Sequence, residues 1–305
     1  MKKERIISYL KGFLCPPLYM DRKVVQISYI KKKLFLEQQI LHSTTKGITS
    51  HKYCDHDIVV SLTTYGKRLY EVHQTIASLM EQTLKPNHIV LWLDKFYENL
   101  RLPESLNLLS KRGLDIRFCK DIGPYTKLIP SLREFEDAAI ITVDDDLIYD
   151  FDVLERLIVS HIQHPNIIFA NRVHRIIMKN ASHAMPYNKW AWSYKGMDIH
   201  PNNFPTGVGG ILYPPHCFDE EVFNESVFTD ICKHADDIWF KAMALKNNIQ
   251  SQKVFTHSDL GEDYFVNDNV QDCALKILNV SGKSLNDSQF DAVFKKYDLY
   301  KKLMV

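Results

Sequence analysis

From Asp57 onward the chain repeats one alternation, and it constrains the fold more than any other feature. A short run of aliphatic residues comes first, then a segment with apolar residues at helical spacing. Ile58-Val-Val-Ser-Leu62 is the first run. Arg68 to Gln82 follows, with Leu69, Val72, Ile76, Leu79 and Met80 on one helical face. Ile89 to Leu93 is a second strand, Glu104 to Arg112 a helix closed by Gly113, and Leu114 to Cys119 a third strand. Lys127 to Phe135 reads as helix and Ala139 to Val143 as a fourth strand. Val153 to Gln163, Ile167 to Ala170, Ala235 to Asn247 and Lys253 to Thr256 extend the pattern as helix, strand, helix and strand. Continuous apolar strands alternating with helices predict an α/β fold: an open, mostly parallel sheet with helices on both faces. In such sheets ligands bind at the C-terminal ends of the strands.

Three regions differ in character. Residues 1–50 carry ten Lys/Arg against three Asp/Glu, while residues 51–305 hold 28 against 34. The chain is divided into a basic extension (1–56), a main α/β domain (57–279) and a C-terminal helical tail (280–305). With a net charge of +1 there is no general case for nucleic acid. The extension is basic and partly amphipathic, interrupted by Lys31-Lys-Lys33, and such a segment can lie on an anionic membrane surface or pack on the main domain. No apolar run reaches the length of a spanning helix, and prolines break the stretch after Gly12, against a cleaved signal. The six cysteines show no C-x-x-C spacing. They read as free thiols in a reducing cytosol, and a zinc site is not expected.

Polar clusters fall where the sheet rule places a site. Asp144-Asp-Asp146 directly follows the fourth strand. Residues i and i+2 of an extended segment share a side, so Asp144 and Asp146 can converge on one cation while Asp145 points away. Their hard oxygens suit Mg²⁺ or Mn²⁺; the bland alternative is a solvated turn or helix cap. Ser61 to Arg68 joins the first strand to the first helix, with hydroxyls, Gly66 and two cations that can hold a nucleotide, though it lacks the phosphate-loop spacing. Lys127, at a helix start, opposes the helix dipole, which an arriving phosphate would explain. Asp236 and Asp237 open another helix, where one could cap and one could serve as general base. Thr206 to Ile211 contains Gly209 and Gly210 and can approach a ligand closely or simply turn. Trp190 and Trp192 alternate, for sugar stacking or for core. His257 is a candidate further metal ligand.

Taken in order, Val60 to Tyr65, Pro124 to Lys127, Val143 to Asp146, Gly207 to Gly210 and Ala235 to Trp239 resemble a GT-A fold glycosyltransferase close to the family 2 type, over about Asp57 to His257. The resemblance implies transfer of a sugar from a nucleoside diphosphate, a UDP-sugar by expectation, to a hydroxyl. It implies that Thr63, Thr64 and Tyr65 line the base and ribose. One carboxylate of the triplet would meet the ribose and another, Asp146 first, the metal. Lys127 and Arg68 would face the diphosphate, and Asp237 or Asp236 would be the base for in-line, inverting attack. The family's base often follows Glu; here the pair is Asp-Asp, so the assignment stays open. Without a long membrane-spanning C-terminus, a single addition to a glycan or lipid-linked acceptor is expected, by a cytoplasmic enzyme at the inner face of a membrane. A nucleotidyltransferase, or a non-catalytic nucleotide-sugar or glycan binder, is the alternative.

Overall fold

The computed structural model describes residues 16–258, 263–267 and 285–303. The chain separates into two compact units, Met1–Ser43 and Thr44–Val305. In the first, α1 (Pro16–His42) is one 27-residue helix. It exposes Val24, Ile27, Ile30 and Leu34 beside Lys31, Lys32 and Lys33. No helix among the described residues is long and apolar enough to cross a membrane.

The second unit begins earlier than residue 57. The backbone N–H of Gly47 donates to Arg112 O and that of Thr49 to Pro86 O. The Asn87 amide then donates to Thr49 O and His51 O. Those bonds tie residues 44–57 to the strand edge, which hydropathy could not foresee.

Next come β1 (Ile58–Thr63), α2 (Val72–Met80), β2 (His88–Asp94), α3 (Glu104–Lys111) and β3 (Leu114–Cys119). The expected helix from Arg68 is a 3-10 turn, Gly66–Tyr70, before α2 starts. Lys127 likewise closes a 3-10 turn, Gly123–Lys127, and α4 (Ile129–Glu134) starts afresh with Pro130 in its first turn. Proline fits only there, because it has no N–H to give to a preceding turn. β4 (Ala139–Thr142), β5 (Leu147–Tyr149), α5 (Val153–Gln163) and β6 (Ile168–Ala170) follow. The looser region holds β7 (Val173–Arg175), β8 (Met178–Asn180), β9 (His183–Ala184), β10 (Asn203–Pro205) and β11 (Ile211–Tyr213). Then come α6 (Glu225–Ile231), α7 (Asp236–Lys246), β12 (Ser251–Lys253), β13 (Tyr264–Val266) and α8 (Leu285–Lys296).

Seven strands form one sheet in the order β12-β6-β11-β4-β1-β2-β3. All neighbours are parallel except β11, which runs against both β4 and β6. The fold is therefore the expected α/β class with a mostly parallel sheet. Its central strands β1, β2 and β4 are buried on both sides. Val59, Val90, Ile140, Ile211 and Tyr213 enter one hydrophobic cluster with Ile238, Trp239 and Ala242 of α7. Val60, Leu62, Leu91 and Ile141 alternate to the other face and are equally inaccessible. The charged C-terminal segment shares the first cluster: Phe290, Val293 and Phe294 of α8 are buried in it, with Phe290 4% exposed. A periodic Phe-x-x-Val-Phe stripe thus outweighs the lysines around it.

Parallel strands align their C-terminal ends, so β1 and β4 deliver Thr63 and Asp144 to the same edge. β11 runs the other way and pairs Ile211 with Thr142, which brings the glycine loop just before it to that edge too.

Candidate active site

The acidic run and the second acidic pair meet at this edge although about ninety residues separate them in sequence. Lys127 joins them. Its Nζ donates to Asp144 Oδ1 at 3.1 Å. It also stands 3.1 Å from Asp236 Oδ2, an ion pair off the angle of a hydrogen bond. The ammonium is buried, and Asp144, Asp236 and Asp237 outweigh that burial and hold its pKa well above the ordinary lysine value. The turn that carries Lys127 is anchored beneath: Ser61 Oγ donates to Lys127 O at 2.6 Å, and Trp92 Nε1 donates to Ser131 Oγ.

Arg68 does the corresponding work on the other half. Its guanidinium reaches Asp145 Oδ1 at 2.6 Å and Asp146 Oδ2 at 3.2 Å. Thr64 Oγ1 donates to the second oxygen of Asp145 at 2.6 Å, and Thr75 Oγ1 to its carbonyl. Burial pushes the Asp145 carboxyl up to about 6, against Arg68 and Thr64, which favour its anion. Asp145 is inaccessible, whereas Asp144 and Asp146 stay partly open, at 28% and 13% side-chain exposure. Arg68 and Lys127, both expected to face a diphosphate, are thus also the counter-ions of the chain's own carboxylates.

Asp237 is held differently. Both of its oxygens accept from the Gly207 N–H, at 3.1 and 3.0 Å. Burial first, and the Asp236 charge next, push its pKa up to about 7. Asp236 is also raised by burial, with Lys127 pulling the other way. The two neighbours are therefore distinct: Asp236 is committed to Lys127, and Asp237 to a backbone amide. A Cβ at 207 would meet Lys127 Nζ at 2.8 Å and both Asp144 and Asp237 at 3.4 Å, so a side chain there would push the ammonium away from its carboxylates. Gly209 and Gly210 adopt φ of 93° and 97°, and the Asn171 amide donates to Gly209 O.

Of the remaining sequence-derived candidates, Thr63 gives its hydroxyl to Trp92 O, and Tyr65 is 48% exposed with Arg68 5.8 Å from its ring centroid. Two candidates are corrected. Trp190 is a core residue, 5% exposed, donating to Met185 O and packed on Phe204 and Phe290; only Trp192, 43% exposed and stacked on His174, offers a face. His257 stands apart from the acidic run. Its Nε2 pairs with Asp152 Oδ2 at 2.7 Å and its N–H donates to Asp263. β13 pairs with β5, Val266 opposite Leu147 and Tyr264 opposite Tyr149. Asp146 and the His257 contacts lie at opposite ends of that ribbon.

Sequence reasoning missed Tyr149, whose hydroxyl accepts from the Asp144 N–H at 2.9 Å and so fixes the run's first residue. Its signal was a tyrosine in an otherwise apolar strand, since a buried hydroxyl needs a partner. It also missed Lys241, one turn beyond Asp237. That ammonium is 3% exposed with no hydrogen-bond partner, and burial pulls its pKa down to about 7. It shares with Asp237, Tyr213 and Ser251 the lining of a small cavity of about 10 Å³, room for one water. A larger cavity of about 280 Å³, between Trp92, Phe118, Arg133 and Phe223, contains none of these acidic groups.

No family model matches the chain, and no curated protein matches it. Among solved structures, the crystal structure of S. aureus TarS 1-349 aligns with a TM-score of 0.43 and 15% identity, covering 79% of this chain and 71% of that one. At that distance the functional reading rests on the site itself.

Proposed function

We propose that this chain is a glycosyltransferase that moves a sugar from a nucleoside diphosphate, a UDP-sugar in the first instance, to a hydroxyl of a glycan or lipid-linked acceptor. One observation carries the reading. The acidic run and the Asp236–Asp237 pair converge across Lys127 at the C-terminal edge of the sheet, where open α/β folds bind ligands.

Five carboxylates there face two cations, Arg68 and Lys127, so the donor set fits a further positive charge. Asp144 and Asp146, the two members of the run open to solvent, would hold Mg²⁺ or Mn²⁺, which neutralises charge developing on a leaving diphosphate. Thr64 and Arg68 keep Asp145 and Asp146 in place. Thr63 would line the base and ribose, and the exposed ring of Tyr65 offers a stacking face. Lys127 keeps Asp144 and Asp236 together and adds positive charge behind the diphosphate. The backbone at Gly209 and Gly210 can approach the sugar without a side chain in the way.

Asp237 is the general base. A carboxylate raised by burial and by the Asp236 charge retains the basicity needed to take an acceptor hydroxyl proton as that oxygen attacks in line, inverting the sugar carbon. Gly207 fixes its orientation. Trp192 supplies the acceptor face, and α1, with Lys31 to Lys33 and its exposed aliphatic residues, would bring the enzyme to a membrane-borne acceptor.

The test uses the full chain, with UDP-, GDP- and CMP-sugars and Mn²⁺, reading nucleotide release to water and donor-induced melting shifts. One donor is expected to stabilise the fold and release its nucleotide, with a rate that rises as pH passes through about 7. Asp237→Asn should keep the melting shift and lose about 100- to 10,000-fold in rate. Release of pyrophosphate, failure of every donor, or an unchanged rate in Asp237→Asn would refute the proposal.

A further inference from the structure

At the opposite end of the sheet, Cys54, His56 and His161 bring three ligand atoms within 4.8 Å of one another. Among the described residues they are the one group of three His, Cys, Asp or Glu side chains gathered this closely. We propose that Cys54, His56 and His161 form a site for a divalent ion of the zinc class, which clips residues 44–57 to α5.

The donor chemistry selects the metal. One thiolate and two imidazoles suit Zn²⁺ and its neighbours Co²⁺ and Ni²⁺, and do not suit Mg²⁺ or Ca²⁺. The geometry is close to that of a bound state. His56 Nε2 and His161 Nε2 point at each other 2.8 Å apart. Two nitrogens on a tetrahedral zinc stand roughly 3.3 Å apart, so the pair needs to open by about half an ångström. His56 carries the outer support that metal-binding histidines use: its Nδ1 is 2.7 Å from Asp55 Oδ1, which turns Nε2 toward the site. His161 is fully buried in α5, which holds its ring in place facing His56. Packing alone supports its other nitrogen, which has no partner. Three protein ligands leave a fourth position for water, reachable because Cys54 and His56 are only partly buried.

The placement separates this site from the acidic cleft. Asp57 precedes β1, while the cleft lies beyond Thr63, one strand length or roughly 17 Å away. The expected role is structural. Residues 54–56 and His161 are 105 residues apart in the chain for the closest pair, and a metal bond between them closes that loop in the folded state.

Cobalt is the probe, because thiolate-bound Co²⁺ has a strong ligand-to-metal charge-transfer band in the near ultraviolet and oxygen-bound Co²⁺ does not. The full chain, stripped with chelator and titrated with Co²⁺, should develop that band to one equivalent, and Zn²⁺ should remove it. Cys54→Ser should abolish it. Asp55→Asn, at a side chain 93% exposed, should weaken binding about 10- to 100-fold while the chelated protein melts as wild type. Asp146→Ala should leave the band intact. Absence of the band in the wild type, its survival in Cys54→Ser, or its loss in Asp146→Ala would overturn the site.

Discussion

Lys127→Met tests the electrostatic joint on which the cleft depends. Methionine keeps the apolar stem and removes the charge that lies 3.1 Å from both Asp144 and Asp236. Removing one partner of a buried ion pair costs about 3–5 kcal/mol. Asp144 is 28% exposed and can rehydrate, so the lower figure, about 3 kcal/mol, applies. The cost has a ceiling that depends on pH. Asp236 can always escape by taking a proton, and from its ordinary value of 3.8 that costs 1.36 kcal/mol per pH unit. The ceiling is about 1.6 kcal/mol at pH 5 and about 5.7 at pH 8. The lysine itself is charged in both folded and unfolded states throughout this window, so it adds no pH dependence of its own. At about 2–4 °C per kcal/mol for a domain of this size, the melting midpoint should fall roughly 6–12 °C at pH 8 and about half as far at pH 5. Thermal melts of the two proteins at both pH values read this directly. An equal fall at both, or a larger one at pH 5, would refute the assignment of Lys127 as counter-ion to the acidic pair.

Lys241→Met should stabilise the protein. Holding a lysine neutral at about 7 rather than 10.5 costs up to about 5 kcal/mol in the folded state, and the penalty is fully present below pH 7 and fades as pH rises towards 10.5. The variant's melting midpoint should therefore exceed that of the wild type at pH 6 and converge with it near pH 10; a lower midpoint at pH 6 would show that the ammonium has a partner. The two tryptophans should separate in the same assay. Trp190→Ala should cost about 3–5 kcal/mol and Trp192→Ala within about 1, because only the first fills core space, and equal losses would contradict that division.

The sheet was legible because parallel strands buried on both faces must be continuous apolar runs, and Ile58 to Leu62, Ile89 to Leu93 and Ile140 to Val143 are such runs. β11 was not, because three residues, Ile211 to Tyr213, give no period to read. Sequence order likewise hid the joining of residues 44–57 to the sheet, which uses backbone bonds and the side chains of Asn87 and Arg112, far away in the chain. The acidic triplet was read as Asp144 with Asp146 on one side and Asp145 apart; the contacts group it otherwise, because Asp145 and Asp146 form a turn and share Arg68 while Asp144 pairs with Lys127. Trp190 and Trp192 carried identical local signals, and only the arrival of Phe204 and Phe290 from distant segments distinguishes them. Cys54-x-His56 escaped for the same reason: the third ligand lies on a helix more than a hundred residues away, and no local spacing rule reaches that far.

What pattern reading could not supply was pairing, and pairing decides what the cleft can do. A lysine and an arginine near three aspartates look, in one dimension, like a phosphate site with spare positive charge. In the structure both cations are already engaged, Arg68 by Asp145 and Asp146, and Lys127 by Asp144 and Asp236. A diphosphate entering such a cleft unaided would meet Asp144 and Asp146 with little uncommitted charge to balance its own. A cation entering first would find the same two carboxylates open to it, and would reverse the sign of the field the diphosphate meets. On the proposed function, the expected order of binding is therefore metal before nucleotide.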